Sequence, residues 1–347
     1  MHLTDLLFMG KLSSNNALGL YPIMKTLSTG LLLLVVIAAI AGSYLYFSRP
    51  TANDLGLDHA GPQQIADGDV TVKWLGVSTL LIDDGETQLM TDGFISRPAL
   101  LDLILDRPIQ PDTQAIQAQL AYLGVDRLRA VMTVHSHYDH ALDTGEIALQ
   151  TAADVLGSMS TANLARGARV PERQIKAVVP GLQYHYGRFT VTFYESRHAP
   201  LVDAGPPNPG VMTTPLPPPQ PASHYKEGGS YSIVINHPEG NMLIQGSAGF
   251  IPGALSGIKV DAVFLGVGGL GQLGREHTQS YLREMVNITQ PEDVYVIHHD
   301  DLTAPFGEIR LLPTLVMDKT FFFELKQLAL PAQLYAMGFN EAVRVGP

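Results

Sequence analysis

The stretch Arg129-Ala130-Val131-Met132-Thr133-Val134-His135-Ser136-His137-Tyr138-Asp139-His140 decides how this chain is read. Residues 129–134 have the apolar, β-branched character of a buried strand. As the chain leaves that strand, His135 and His137, two residues apart, can point to one side. Asp139 and His140 then turn the other way. Two imidazoles facing one point, and a carboxylate plus an imidazole facing another, form the donor arrangement that a pair of adjacent first-row cations requires. A polar surface loop is the competing reading, and it does not explain four metal-binding side chains crowded into one turn.

The remainder of the chain sets bounds on that site. Its 347 residues, less an apolar N-terminal segment, suffice for one large core or two tightly joined halves. A single domain over residues 69–347 is the simpler expectation. The formal net charge is −11, and no cluster of Lys or Arg occurs, which argues against a nucleic-acid partner. The absence of cysteine removes disulfides, thiolate ligands and a lipid-modified cysteine anchor, and leaves the redox compartment open.

From Leu27 to Phe47 there is no charged residue, and about 20 apolar residues can span a bilayer. Lys25 favours a cytoplasmic N-terminus, although Arg49 weakens the bias. The expectation is a single-pass membrane anchor with the following domain outside the cytoplasm. Ala39-Ile40-Ala41 also fits a signal-peptide cleavage site, giving a secreted or periplasmic product as the alternative. The apolar run continues through Tyr44-Leu45-Tyr46-Phe47, beyond a usual signal sequence, and so favours the anchor. Residues 1–26 read as a leader, and 48–68, rich in Gly, Asp, Asn and Pro, as a linker.

Beyond the linker, Val70–Gly76, Thr79–Asp83 and Gln88–Asp92 are expected strands, with Asp83-Asp84-Gly85 as a hairpin turn. Helices are expected over 112–124, 141–157 and 278–286, and strands again over 178–193. This mixed order fits an α/β fold of two sheets covered by helices.

The hexapeptide resembles the HxHxDH signature of the metallo-β-lactamase superfamily. Its His-Tyr-Asp-His form and the passage WLG-x-STLLI…LMTDGF, residues 74–94, are similar to the ascorbate-phosphate lactonase and N-acyl-phosphatidylethanolamine phospholipase D branch. The resemblance covers about residues 70–310 and implies an αββα sandwich. It further implies His135, His137 and His198 for a first metal, and Asp139, His140 and His298 for a second. His298 follows the apolar run Val294–Ile297 directly, and His299 is the alternative. Two departures stand out: Val77 where relatives commonly carry His, and Ser247 where most carry an Asp bridging both metals. A hydroxyl is a poorer cation ligand than a carboxylate, so the second site is expected to be weaker. True lactamases of the family that lack this Asp still hold two zinc ions through three His on one side and Asp-His-His on the other.

Zinc is the expected metal, as two ions, with manganese or iron as alternatives. The implied activity is hydrolysis of an ester, amide, lactone or phosphodiester by a water ionised between the metals, with Asp139 orienting that water and handling its proton. The substrate would be a small or amphiphilic molecule; the oligomeric state is left open. A different class of function, a catalytically silent membrane-tethered metal-binding or sensor module, is suggested by the loss of the bridging Asp. A redox role would need a flavin or thiol domain for which the length leaves no room. Asp92, Asp300 and Asp301 are candidates for carboxylates behind the ligands.

Gly266–Gly271 formally matches GxGxxG, but no helix follows at once, and a rim loop is the better reading. Around Ser247, Gln245 breaks the GxSxG elbow of serine hydrolases. The Pro-rich stretch 204–229 cannot be a central strand or helix interior. It is either a solvated loop or a lid, with His224, Tyr225 and Lys226 as candidate substrate contacts, and His277 is expected to cap a helix or sit at the rim.

Overall fold

A computed structural model describes residues 17–47, 58–60, 63–201, 205–311 and 319–346. Most of the expected leader and much of the expected linker lie outside the described residues. The chain divides into two compact units, Met1–Arg49 and Pro50–Pro347.

In the first unit a helix runs from Ala17 to Phe47, so it begins inside the expected leader. Its described side chains, residues 29–44, are all exposed, Leu31, Leu32, Leu33 and Leu34 included. Among the described residues no helix is long and apolar enough to cross a membrane. The anchor expected over 27–47 extends at both ends past the described side chains.

The second unit contains two mixed sheets. In one, the strands follow the order Ala342–Val345, Val70–Trp74, Leu80–Asp83, Gln88–Thr91, Leu128–Met132, Asp154–Gly157, Ile175–Ala177. The order in the other is Asp58–His59, Gln333–Ala336, Asp293–Ile297, Ala262–Gly266, Met242–Gln245, Ser230–Asn236, Phe189–Ser196, Gln183–Tyr186.

Alternation along the strands explains the layering, since successive side chains leave opposite faces. Val70, Val72, Trp74, Leu80 and Ile82 point inward and pack with Phe193, Ile233, Ile244 and Phe264 of the other sheet. Their alternates Leu81, Met90 and Val131 point outward onto Ile116, Leu120 and Ile147 of two covering helices, Thr113–Tyr122 and Thr144–Thr151. On the far side Val263, Leu265, Val294 and Val296 pack under Tyr281, Leu282, Phe322 and Leu325. Each aliphatic side chain so enclosed contributes about 1.5–3 kcal/mol. Helix, sheet, sheet and helix therefore stack as an αββα sandwich, in agreement with the expected class.

Topology places the site. Gln88–Thr91 runs parallel to Leu128–Met132 in one sheet, and Met242–Gln245, Ala262–Gly266 and Asp293–Ile297 are mutually parallel in the other. Asp92, His135, Ser247 and His298 each follow the carboxyl end of one of these strands, where ligands of α/β sheets collect.

Two expectations require correction. The helix anticipated over 141–157 ends at Thr151, where Ala152 turns left-handed, and Asp154–Gly157 is a strand parallel to Leu128–Met132. The Pro-rich stretch is not a free solvated loop over its described part, 205–229. Met212 donates its amide to Ser160 Oγ and accepts from Asn163 Nδ2, both at 2.8 Å, which fastens the segment to helix Met159–Gly167. Gly167 permits this approach, since a Cβ there would lie 2.1 Å from the Leu216 carbonyl oxygen.

Candidate metal centre

Beyond the end of strand Leu128–Met132 the backbone bends at Val134 and His135, and then His137, at φ −63° and ψ 157°, caps a single helical turn, Tyr138–Ala141. That turn redirects Asp139 and His140 away from the first two imidazoles. His198 arrives two residues beyond strand Phe189–Ser196, and His298 immediately after Asp293–Ile297. The six side chains gather as two triads: His135, His137 and His198 in one, Asp139, His140 and His298 in the other. Within each triad the candidate donor atoms lie within 4.8 Å of one another, the scale of one coordination sphere. The triads are adjacent, with the rings of His135 and His140 3.8 Å apart between centroids.

Hydrogen bonds on the outer sides of the rings decide which nitrogen faces inward. His137 Nε2 donates to the Pro207 carbonyl at 2.9 Å, and His198 Nδ1 to the Ala199 carbonyl at 2.8 Å. His140 Nδ1 donates to Asp92 Oδ2 at 2.9 Å. Because a ring nitrogen that donates carries the proton, the lone pairs of His137 Nδ1, His198 Nε2 and His140 Nε2 remain free for a cation. His140 Nε2 and His298 Nε2 both lie 3.5 Å from Asp139 Oδ2. His135 is nearly inaccessible, yet neither of its nitrogens has a hydrogen-bond partner. Orphaned buried nitrogens are costly. A cation supplies the missing partner, so this donor set fits a metal.

Electrostatics agree for the first triad; at His140 burial opposes the charge but Asp139 and Asp92 outweigh it and hold the imidazole above the usual range, so a cation there would displace a proton. Burial, with repulsion from His140 and His198 added, pushes His135 well below the usual histidine range. The imidazole of His198 is pushed down to about 3 by burial and by His137. Both rings are therefore neutral, the form that coordinates. Burial works against the charge of Asp139, but His140 and His298 outweigh it and hold the carboxyl well below the usual range.

Asp92, one of the carboxylates expected behind the ligands, stands there in the structure. Besides His140, it accepts from Val134 N at 2.9 Å and Ser78 Oγ at 2.6 Å, so one carboxylate ties the ligand strand to the ligand ring. Asp92→Ala should weaken metal binding by about 10- to 100-fold; competition with a chromogenic chelator measures this. Of the two carboxylates after His298, Asp300 is the one linked to the site. It accepts from Val77 N at 2.8 Å, and the Val77 carbonyl accepts from His298 N at 2.8 Å. Asp300 also pairs with buried Arg97 at 3.5 Å. Asp301 instead accepts from Thr303 N and Oγ1.

The His298 or His299 alternative is resolved in position. His298 takes φ 58°, which ends the strand and turns its ring to Asp139, while His299 stacks on Trp74 at 4.9 Å. Gly268 makes room for His298: a Cβ there would lie 2.6 Å from His298 Nδ1. Gly268→Ala should therefore displace His298 and lower the metal content by about one ion per chain, read by elemental analysis of the folded protein.

A cavity of about 390 Å³ opens over four of the six side chains, His137, Asp139, His198 and His298. Gly268, Gly269 and Gln272 form part of its wall, so the glycine-rich loop is a rim element as expected. Ser247 also borders the cavity but belongs to neither triad; its Oγ accepts from Ala199 N at 3.0 Å and so braces the peptide that fixes the His198 ring. The three candidate substrate contacts in the Pro-rich segment do not line it. Tyr225 is buried in a hydrophobic cluster, His224 bonds Gln220, and Lys226 Nζ donates to the Ser223 carbonyl. Pro207 and Asn208 line it in their place. His277 bonds the Ala248 carbonyl beside a neighbouring cavity.

No family model matches the chain, and no curated protein matches it in sequence. Among solved structures it is similar to Igni18, a metallo hydrolase from the archaeon Ignicoccus hospitalis, at 16% identity over 79% of this chain and 97% of that one, with a TM-score of 0.46. The metallo-β-lactamase fold protein YhfI from Bacillus subtilis is 13% identical over 80% of this chain and 99% of its own, with a TM-score of 0.49. CmlA, a diiron β-hydroxylase from Streptomyces venezuelae, is 14% identical over 82% of this chain but 55% of its own, with a TM-score of 0.46. These TM-scores are below 0.5, so what the site can do rests on its own geometry.

Proposed function

We propose that this chain is a dinuclear metal-dependent hydrolase of the metallo-β-lactamase superfamily. The observation that carries the reading is the pair of triads whose outward nitrogens are tied off while the inward ones are left free. His135, His137 and His198 would hold one ion, and Asp139, His140 and His298 the other. Three nitrogens on one side suit zinc, and two nitrogens with one carboxylate on the other suit zinc and would also accept manganese or iron. Bound there, the ions would polarise the electrophile and lower the pKa of water near neutrality.

The chain's own groups then have defined tasks. Asp139, which lines the cavity, would orient the attacking water and take up its proton. Asp92 and the carbonyls of Pro207 and Ala199 lock the rings, so no reorientation is needed during reaction. Ser247 leaves the two triads without a bridging carboxylate, yet each retains three donors. Residues 27–47 would tether the enzyme to a membrane with the hydrolase outside the cytoplasm, a reading supported by their uncharged sequence and by the exposed leucines of the helix.

The test is a screen of esters, lactones, amides and phosphodiesters with the full chain reconstituted with zinc, manganese or iron. Metal-dependent turnover of at least one class is expected. Tight metal binding without any turnover would favour the silent sensor module instead.

A further inference from the structure

Resting on the hydrolase reading, we infer that the cavity is built for a small, uncharged acyl compound whose apolar body lies against Leu201, Pro207 and Leu302. At about 390 Å³ the cavity is near the lower end of ligand sites, which favours a compact substrate. Apart from the four triad side chains its lining is apolar or neutral: the three residues just named, two glycines, Tyr138, and the uncharged polar groups of Asn208, Ser247 and Gln272.

The described lining residues include no Lys or Arg. Cationic side chains nearby are committed elsewhere. Arg97 is buried against Asp300 with its guanidinium 4.6 Å over the Phe94 ring, and Lys226 is bonded to the Ser223 carbonyl. Arg197, next to a triad residue, borders the adjacent cavity and not this one.

This distribution discriminates between substrate classes. A phosphodiester is anionic before it reacts and spreads further charge over its equatorial oxygens, which Arg or Lys clamps or the metal ions themselves must balance; no such side chain lines this cavity. Acyl transfer concentrates charge on one oxygen, so bound ions suffice and a neutral wall adds no penalty. A carboxylate on the far end of the substrate would be desolvated against Leu201 and Leu302 without a counter-charge, which is costly. For an ester the balance is simple. The oxygen of one water forms a bond to the acyl carbon and the bond from that carbon to the alcohol oxygen breaks. One water proton leaves with the alcohol, and the acid product releases another.

Gly269 fixes the position of the apolar wall: it takes φ 75°, and a Cβ on it would fall 2.5 Å from Leu201 Cδ2. Leu201 thus sits directly on the glycine loop and is the position at which to alter the wall.

The experiment uses the full chain loaded with zinc and three probes: para-nitrophenyl butanoate, its acidic counterpart mono-para-nitrophenyl glutarate, and bis-para-nitrophenyl phosphate. Each kcat/KM is divided by the probe's own uncatalysed rate constant. The butanoate should exceed both anionic probes by about 100-fold, the effect of one missing charge-stabilising group. Leu201→Lys should raise the glutarate value by about tenfold while metal content stays unchanged. Equal or better turnover of an anionic probe, or no response to Leu201→Lys, overturns the substrate class and leaves the hydrolase reading standing. Bound metal with no turnover of any of the three probes overturns the substrate class, and the hydrolase reading falls with it only if lactones and amides are left unhydrolysed as well.

Discussion

Alanine at position 135 should leave a folded protein that has lost the metal of the first triad and about three orders of magnitude in kcat/KM, the several kcal/mol that a Lewis acid contributes to an acyl or phosphoryl transition state. His135 is chosen because its two nitrogens are buried and unpartnered, so the ring makes no hydrogen bond that the rest of the structure needs. Removing it therefore leaves no carbonyl or carboxylate unsatisfied, as removing His140 would do to Asp92. Elemental analysis and steady-state kinetics on the same preparation separate the two effects. Full activity in a variant that retains both ions would mean that the orphaned imidazole has another purpose.

The second large effect is expected from Asp139→Asn. The substitution preserves volume and removes the charge that His140 and His298 surround at 3.5 Å. It takes away both a ligand of the second triad and the acceptor for the proton of water, so kcat should fall by about 10²- to 10⁴-fold. The first ion should remain, because none of its three histidines bonds Asp139 through its outward nitrogen. One ion per chain with greatly reduced kcat is the expected pair of results. Two ions with near-normal kcat would remove Asp139 from the mechanism.

How far the sequence reveals the site depends on how far apart its parts lie. His135, His137, Asp139 and His140 are legible because ligand spacing inside one turn is a local property. His198 and His298 are legible only through a resemblance, since a histidine after a strand is ordinarily a surface residue. The choice between His298 and His299 rests on where the strand ends, and that is set by the left-handed turn at His298 and by the stacking of His299 on Trp74. Neither has a signal in residue periodicity. Ser78 and Arg97 went unrecognised for the same reason: Ser78 bonds Asp92 from 14 positions away, and the partner of Arg97 is 203 positions downstream.

Fold elements show the same division. Short β-prone runs separated by turn residues mark the strands at 70–74, 80–83 and 88–91. That signal failed over 141–157, where a short helix and a short buried strand follow each other and the apolar run suits either. In the Pro-rich segment composition excluded a central strand or a helix interior, in keeping with the two-residue strand Gln220–Pro221 found there, but could not identify which residues face the cavity. Pro207 and Asn208 do so because Met212 and Leu216, further along, are pinned to helix Met159–Gly167.

The most direct measurement of the central claim is anomalous diffraction from crystals of the full chain grown with its metal. Two peaks are predicted, one among His135, His137 and His198 and one among Asp139, His140 and His298. A map without a peak at either triad, from protein shown to be folded and exposed to zinc, manganese and iron, would contradict it.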